Sequence, residues 1–398
     1  MKVIVSQYGA RRRYLIPQIL HQRHLLAALY TDSYADSVLG RVAKVLSAVG
    51  LKRLPLSRLI NRKPNIPEYK IVSNDWLQVS ILLKKIFRRP NREIMDLIFE
   101  GSSQYFISKG IPQADWLYNM FIENIDFAKY AKSQGLKIIA DIYENPYIFR
   151  SLIKELDEPE LECIRYTIEN QRVQADLREK HLDDLLQIAD KLLVPSLYVK
   201  DSLKQSPFYD ESKINVIPYI SSVKNVAYAN EPVRGRIIWV GNDPVRKGLL
   251  YANRAIRKLQ KIYPDIEFRV IGPIQKELCD SEYFSNIKFL GYLSKDELKQ
   301  EFNAADMFVF PTLAEGFAGV LLEAASFGVP IITTRASGFD DKFPGIIVPF
   351  KDSQSIEDAI IRLYEDREYR NDMSHFIFNY SQNQSVDNFA EKLVSVFD

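Results

Sequence analysis

FVFPTLAEGFAGVLLEAASFGVPIITT, residues 308–334, is the part of the sequence whose pattern is most specific. Apolar residues 308–310 indicate a buried strand, and Pro311 begins a loop. A short helical pattern then ends at Gly-Val-Pro, and a second strand pattern begins at Ile331. Strands that alternate with helices in this way are typical of a parallel sheet in an α/β domain.

Two carboxylates in this stretch stand eight residues apart. Glu315 falls in the loop before the helix, and Glu323 falls about two turns into it. Small residues and free backbone N–H groups are predicted between them, at Gly316, Phe317, Ala318 and Gly319. Unpaired N–H groups and the helix dipole favour an anion at such a helix start, and a carboxylate can accept hydrogen bonds from sugar hydroxyls. An isolated pair of glutamates usually marks a solvated helix surface, but the flanking elements favour a binding site.

The Glu-x7-Glu pair, in this order of elements, resembles the signature of the retaining glycosyltransferases of family 4. The resemblance implies an α/β fold of the GT-B architecture, in which two Rossmann-like, doubly wound domains face a cleft. It implies that Glu315 contacts hydroxyls of the donor sugar and that Glu323 binds the ribose of the nucleotide. The resemblance is strong from about Arg236 to Asp366 and thinner over the first domain.

A second motif follows the strand pattern of residues 236–240. A lysine at a helix start, beside backbone N–H groups, suits a diphosphate. The family pattern is Gly-Arg, four residues and Lys-Gly, so Gly241 and Lys247 keep the spacing whereas Asn242 replaces the arginine. We interpret Arg246 as a substitute for the missing charge. The resemblance implies that Lys247 and Arg246 stabilise the leaving diphosphate.

The start of the chain has the pattern of a strand, a turn and a helix running to about Ala28, which opens a nucleotide-binding α/β unit. The resemblance implies that the donor phosphates and the acceptor lie near this turn, so Gly9 and Arg12 are candidate site residues. A solvated helix start is the alternative for the arginine.

Two aromatic positions have roles that come only from the resemblance. Tyr143 aligns with a histidine that touches the donor, and Tyr143 or Glu144 is expected to substitute by hydrogen bonding. Tyr292 follows the turn near which the family binds the nucleobase. A core or surface aromatic is the alternative for Tyr292.

Short apolar runs alternate with helical patterns from Asp115 onward, including one long helical pattern over residues 151–189. This alternation predicts a parallel, doubly wound sheet. The predicted division is an N-terminal acceptor-binding domain, a linker, a C-terminal nucleotide-sugar-binding domain and a helix that crosses back to the first domain. These segments are residues 1–218, 219–235, 236–380 and 381–398.

The chain has 46% hydrophobic residues, 2 cysteines and 4 histidines, an ordinary globular composition. No apolar run approaches the roughly 20 residues that span a bilayer, and no signal-peptide pattern occurs, so we predict a cytoplasmic location. The cysteines and histidines lack metal-binding spacing, and no Asp-x-Asp occurs. We predict no metal, no cofactor and no nucleic-acid partner.

The net charge of +2 hides an asymmetry, because residues 1–100 carry 18 Lys and Arg against 7 Asp and Glu, or +11. A helical stripe of apolar residues runs from Val38 to Val49, and basic residues follow it as far as Lys63. A second apolar and basic segment spans residues 76–89. We predict peripheral contact with an anionic membrane through residues 38–63. Packing of these helices on the domain core, or a basic groove for a soluble anionic acceptor, are the alternatives.

The resemblance therefore implies a metal-independent retaining glycosyltransferase, with Glu315, Lys247 and Arg246 as catalytic residues. It would move a sugar from a UDP- or GDP-sugar to a hydroxyl of a lipid-linked or saccharide acceptor, in polysaccharide or glycolipid biosynthesis. The alternatives are a non-catalytic binding partner with the same fold, or a sugar-nucleotide epimerase or phosphorylase.

Overall fold

The structure is a computed structural model, and it describes residues 1–49, 59–87, 89, 91–120, 122–220, 228, 230–340 and 342–398. Within these ranges the chain forms a seven-stranded sheet and a six-stranded sheet. Neighbouring strands in both sheets run parallel. The predicted α/β fold with two doubly wound sheets is confirmed.

The strands of the first sheet are β1 Val3–Gln7, β2 Leu26–Thr31, β3 Ile71–Ser73, β4 Trp116–Met120, β5 Lys137–Asp141, β6 Lys191–Val194 and β7 Ile214–Val216. Those of the second sheet are β8 Arg236–Val240, β9 Glu267–Ile271, β10 Ile287–Gly291, β11 Met307–Phe310, β12 Ile331–Thr334 and β13 Ile346–Val348.

The α-helices before β8 are α1 Leu15–Gln22, α2 Val38–Ala48, α3 Asp75–Ile86, α4 Asn91–Phe99, α5 Ser103–Lys109, α6 Ile125–Ser133, α7 Ile148–Glu155, α8 Ile168–Ile188 and α9 Leu197–Ser202. Those after β8 are α10 Leu249–Leu259, α11 Lys276–Cys279, α12 Lys295–Ala304, α13 Gly319–Ala325, α14 Ser353–Glu365, α15 Arg367–Gln382 and α16 Val386–Ser395.

The strand order is β3-β2-β1-β4-β5-β6-β7 in the first sheet and β10-β9-β8-β11-β12-β13 in the second. In each sheet the order reverses beside the first strand of that sheet, between β1 and β4 and between β8 and β11. Open α/β sheets bind ligands outside the carboxyl ends of the strands at such a reversal. A ligand site is therefore expected at the loops that follow β1, β4, β8 and β11.

Helix α16, the last of the chain, packs on the first domain. Phe389, Leu393 and Phe397 belong to the same buried cluster as Val3 and Val5 of β1. The rings of Phe397 and Trp116 meet edge to face, with centroids 5.9 Å apart. The C-terminal helix thus covers the first sheet although the preceding helices belong to the second.

Two predicted helices are wrong in extent. The helix from the arginines to Ala28 ends at Gln22, because His24 adopts a φ of 59°, and residues 26–31 form the buried strand β2. The long helical pattern of residues 151–189 is broken at Pro159, where 3₁₀ turns extend as far as Thr167 between α7 and α8. Proline lacks the N–H that a continuous helix needs.

Helices α2 and α3 expose apolar side chains to solvent. On α2, the side chains of Val38 and Val45 are 77% and 64% exposed. Trp76 on α3 is 72% exposed, and Phe87, just after α3, is 70% exposed. The alternative that the α2 stripe packs wholly on the core is therefore wrong for its valines. The basic residues Lys52, Arg53 and Arg58, and Arg88 after α3, lie outside the described residues.

Candidate active site between the two domains

The two domains meet at Gly316, in the loop between β11 and α13. Ser196 Oγ donates to the Gly316 carbonyl oxygen at 2.7 Å, and Tyr198 OH donates to the Leu313 carbonyl oxygen at 3.1 Å. A Cβ atom at position 316 would lie 1.5 Å from the carbonyl oxygen of Tyr143. This approach therefore requires glycine, and it sets the loop after β11 against the loop after β5.

Three charged side chains converge where the second sheet reverses its strand order. Arg246 Nη1 lies 2.8 Å and Lys247 Nζ lies 3.1 Å from Oε1 of Glu315. Arg246 also donates from Nε to Asp243 Oδ2 at 3.2 Å and from Nη1 to the Ala314 carbonyl oxygen at 2.8 Å. The predicted catalytic residues thus lie together, with two cations sharing one carboxylate.

Lys247 is positioned by the end of β8 and by neighbouring aromatic rings. A Cβ atom at Gly241 would lie 2.4 Å from Lys247 Cδ, so glycine leaves room for the lysine side chain. Lys247 Nζ lies 4.8 Å from the centroid of the Phe310 ring, and Trp239 Nε1 donates to the Lys247 carbonyl oxygen at 3.1 Å. Burial lowers the pKa of the Lys247 ammonium, and Glu315 opposes that shift. An additional negative group would stabilise its charged form.

The N–H groups before α13 are fewer than predicted. Glu315 N donates to the Ala336 carbonyl oxygen at 2.9 Å, and Ala318 N donates to the Ser337 carbonyl oxygen at 2.8 Å. The prediction that the loop leaves all of its N–H groups free is therefore wrong at Ala318, because a turn after β12 folds back onto the loop. Phe317 packs against Phe339, with ring centroids 4.6 Å apart.

A cavity of about 630 Å³ lies between the domains. Gly319 and Glu323 line it from the second domain, and Arg12 and Arg13 line it from the first. Glu323 lies in the second turn of α13, after Gly316 in the chain. Arg246, Lys247 and Glu315, which we call the Lys247 cluster, all precede Gly316 in the chain. The cavity is large enough for part of a small-molecule ligand.

On the first-domain side of this cavity, Arg12 contacts the carboxylate of Asp141 and the ring of Tyr219. Its Nη2 lies 2.9 Å from Oδ2 of the buried Asp141, and its guanidinium lies 3.5 Å from the centroid of the Tyr219 ring. Tyr118 OH also donates to Asp141, at 2.6 Å. Within the described residues, Nη1 of Arg12 has no hydrogen-bond partner. It is therefore a buried donor at the edge of the cavity.

The loop that carries Arg12 has an unusual backbone. Arg12, Arg13 and Tyr14 have φ values of 49°, 52° and 61°, which form a left-handed turn of non-glycine residues. Such residues cost about 1–3 kcal/mol each and persist where their surroundings fix them. Gly9, also at positive φ, donates its N–H to Asp32 Oδ1 at 2.9 Å. Gly9 and Arg12 thus lie in one loop.

Two buried acids beside the arginines were not predicted from the sequence. Glu123 Oε1 lies 3.0 Å from Arg11 Nη2, and Asp141 pairs with Arg12 as described above. Burial raises the pKa of Glu123, and Arg11 opposes that shift. The Arg11 guanidinium lies 4.0 Å from the centroid of the Tyr143 ring. The position of each acid at or just after a strand end is the signal that could have identified it.

Two further predicted residues share a cavity with Arg246, and a third lies on an exposed loop. Glu144 pairs with Arg178 of α8 and lines a second cavity, of about 470 Å³, together with Asn242. Arg246 also lines this cavity. Tyr292 is 85% exposed on the loop after β10. In the described part of the chain, no group of three or more His, Cys, Asp and Glu side chains is arranged to hold a metal ion.

Residues 234–366 match the family model described as glycosyl transferases group 1. The prediction of a group 1 type glycosyltransferase sequence is therefore confirmed for these residues, and the chain as a whole has the GT-B fold.

The relatives share parts of the sequence, and the solved structures share the fold. The D-inositol 3-phosphate glycosyltransferase of Corynebacterium urealyticum is 28% identical over 184 residues, which are 42% of this chain and 43% of that protein. This chain thus spans less than half the length of that curated relative. Anabaena HepE, solved with UDP and glucose, is 13% identical with a TM-score of 0.57, over 100% of this chain and 99% of HepE. WaaG, a glycosyltransferase of lipopolysaccharide biosynthesis, is 14% identical with a TM-score of 0.59, over 99% of each chain.

Proposed function

We propose that this protein is a metal-independent, retaining glycosyltransferase that takes a sugar from a UDP- or GDP-sugar. The observation that carries the proposal is the convergence of Lys247, Arg246 and Glu315 where the second sheet reverses its strand order. Two cations beside one carboxylate suit a diphosphate that is attached to a hydroxylated sugar. The family match of residues 234–366 and the relatives named for glycosyl transfer support this chemistry.

The donor is proposed to bind with its ribose at Glu323 and its diphosphate beside Lys247 and Arg246. Glu315 would then release the two cations to the diphosphate and accept hydrogen bonds from hydroxyls of the donor sugar. Since negative charge grows on the diphosphate as the sugar bond breaks, the two cations stabilise the transition state more than the bound donor.

The acceptor is proposed to approach from the first domain, beside Arg12 and the left-handed turn. Its hydroxyl oxygen forms the new bond to the anomeric carbon on the face from which the diphosphate departs, so the configuration is retained. The bond from the anomeric carbon to the diphosphate oxygen breaks, and a donor phosphate oxygen takes the proton of the hydroxyl. No side chain acts as a nucleophile in this scheme. The product is proposed to belong to polysaccharide or glycolipid biosynthesis.

Replacing Glu323 by alanine is expected to affect nucleotide binding, whereas replacing Glu315 by alanine is expected to affect turnover. Glu323→Ala should weaken nucleoside diphosphate binding about tenfold to a hundredfold, because charged hydrogen bonds are worth roughly 1.5–3 kcal/mol. Glu315→Ala should lower turnover while the nucleotide still binds. Calorimetric titration and donor kinetics measure the two effects. Glu282→Ala, at an exposed glutamate of the second domain, is the matched control. Unchanged donor kinetics in both site variants would remove these residues from the proposed site.

We also propose that the first domain binds anionic membranes at its exposed apolar surface. Valines at 38, 42, 45 and 49 face solvent, and residues 1–100 have an excess of 11 positive charges. A basic amphipathic helix can lie in the headgroup plane, where each Lys or Arg adds roughly 1 kcal/mol. Arg41 and Lys44 pair with Glu68 and Asp36, which reduces their contribution. In the described ranges, no helix is long and apolar enough to cross a membrane.

Co-sedimentation with vesicles tests the membrane proposal. The protein should bind anionic vesicles but not neutral ones, and binding should weaken with salt. It should be lost when four basic residues are changed to glutamate, at Arg41 and Lys44 of α2 and at Lys52 and Arg53, which follow α2 in the sequence. The control reverses four exposed lysines of the second domain, at Lys261, Lys276, Lys288 and Lys299. Wild-type protein that stays in the supernatant with anionic vesicles at low salt would contradict this proposal.

A further inference from the structure

A third cavity, which we call the basic cavity, opens beside the interdomain cavity. It has a volume of about 700 Å³, and the side chains that line it include the cations Arg13, Arg62, Lys63 and Lys295. None of the described residues that line it is acidic. Ala10, Arg13 and Gln18 line both cavities, so the two are contiguous. A molecule in the basic cavity would therefore lie next to the cavity that contains Gly319 and Glu323.

Within the described part of the chain, three of the four cations have no carboxylate partner. Arg62 Nη1 lies 2.6 Å from Oδ2 of the buried Asp32, so that pair is neutral. Among the described residues, no carboxylate lies within 4.0 Å of a side-chain nitrogen of Arg13, Lys63 or Lys295. Residues 50–58, which lie outside the described residues, include no Asp or Glu in the sequence. The net charge of the cavity lining is positive.

The cations come from three separate parts of the chain. Arg13 belongs to the left-handed turn, Lys63 follows the helical end at residues 59–60, and Lys295 begins helix α12 of the second domain. Gln18 Nε2 donates to the carbonyl oxygens of Arg13 and Pro64, at 3.1 and 2.9 Å. Gln18 thus holds the first two segments together. Like charges gathered across a cleft repel one another, and a bound anion would remove that repulsion.

We propose that the acceptor of this enzyme carries a phosphate group and that Arg13, Lys63 and Lys295 bind it. This inference rests on the proposed transferase function and names the class of its acceptor. The phosphate lies in the basic cavity, and the acceptor hydroxyl reaches the adjoining cavity beside Gly319. An arginine and two lysines match the charge and the hydrogen-bond acceptors of a phosphate. The phosphate belongs either to a soluble sugar phosphate or to a phospholipid headgroup.

Calorimetric titration with glucose 6-phosphate, and with glucose as the neutral match, tests the site. Saturating UDP or GDP, whichever binds, is present throughout, so that the probe cannot occupy the diphosphate position. Glucose 6-phosphate should bind at least about tenfold more tightly than glucose. Arg13→Gln, Lys63→Gln and Lys295→Gln should each weaken it about tenfold. Lys299→Gln, on the same helix as Lys295 but paired with Asp296, should not change it.

The outcomes separate this inference from the proposed function. Absence of binding to any nucleotide contradicts the proposed function. Nucleotide binding together with equal affinity for glucose and glucose 6-phosphate, or with unchanged affinity in all three cavity variants, overturns the phosphate site. To distinguish the two sources, the same variants are sedimented with phosphatidic acid vesicles. A loss of vesicle binding in the cavity variants assigns the phosphate to a lipid headgroup, and unchanged vesicle binding assigns it to a soluble acceptor.

Discussion

Gly316→Ala should lower kcat/KM for glycosyl transfer by about a hundredfold or more, because misplacing reacting groups by about 1 Å costs that much. A Cβ atom at this position would lie 1.5 Å from the carbonyl oxygen and 2.5 Å from the carbonyl carbon of Tyr143. Backbone atoms cannot rotate away as a flexible side chain can, so the two domains would have to separate. Steady-state kinetics gives the loss, and small-angle scattering should show a larger radius of gyration for the variant.

The same interface provides a milder comparison. Ser196→Ala removes the 2.7 Å hydrogen bond to the Gly316 carbonyl oxygen without adding an atom. Its effect should stay below about tenfold, in keeping with the modest net value of one hydrogen bond. Nucleoside diphosphate binding to the second domain should survive in both variants. Wild-type activity and an unchanged radius of gyration in Gly316→Ala would show that catalysis does not need this contact.

Lys247→Ala should lower kcat by about a hundredfold to a thousandfold, the usual loss when one group that stabilises transition-state charge is removed. Its ammonium lies 3.1 Å from Glu315 and is held by the Phe310 ring and the end of β8. Because charge grows on the diphosphate as the sugar bond breaks, binding of the nucleoside monophosphate should change much less. Rapid-quench kinetics and calorimetric titration measure the two quantities.

Arg246→Ala is the companion to that experiment. Arg246 shares the Glu315 carboxylate with Lys247, so it should also lower kcat if it compensates for Asn242. Wild-type activity in this variant would show that it does not compensate. Equal losses of kcat and of monophosphate affinity in Lys247→Ala would instead assign the lysine to uniform binding of ground state and transition state.

The second domain was predicted well because each element has its own local signal. The pattern from Phe308 to Ile331 has apolar runs bounded by proline and glycine, and the observed strands β11 and β12 bracket a helix there. Strand β2 was missed because Leu26–Thr31 contains alanines and leucines that suit a helix equally well. Only burial between β1 and β3 makes this segment a strand.

The predictable part of the candidate site consists of residues that are close together in the sequence. The spacing of Lys247 and the Glu-x7-Glu pair identified the charged cluster, although their roles remain predictions. The left-handed turn at Arg12–Tyr14 could not be predicted, since nothing in three consecutive bulky residues favours positive φ. The buried partners Glu123 and Asp141 lie more than a hundred residues from their arginines, so only the folded chain reveals the pairs.

Titration of the wild-type protein with UDP-, GDP- and ADP-sugars is the best single test of the proposed glycosyl transfer. Thermal unfolding reports binding, and release of nucleoside diphosphate reports cleavage of the sugar bond. The proposed function predicts that nucleotide sugars of one base stabilise the fold, by roughly 2.7 kcal/mol at about 100 times the dissociation constant. It also predicts that the bound donor is slowly hydrolysed to the nucleoside diphosphate when no acceptor is added. An unfolding temperature unchanged by every nucleotide, with no sugar nucleotide consumed, would contradict the proposed function.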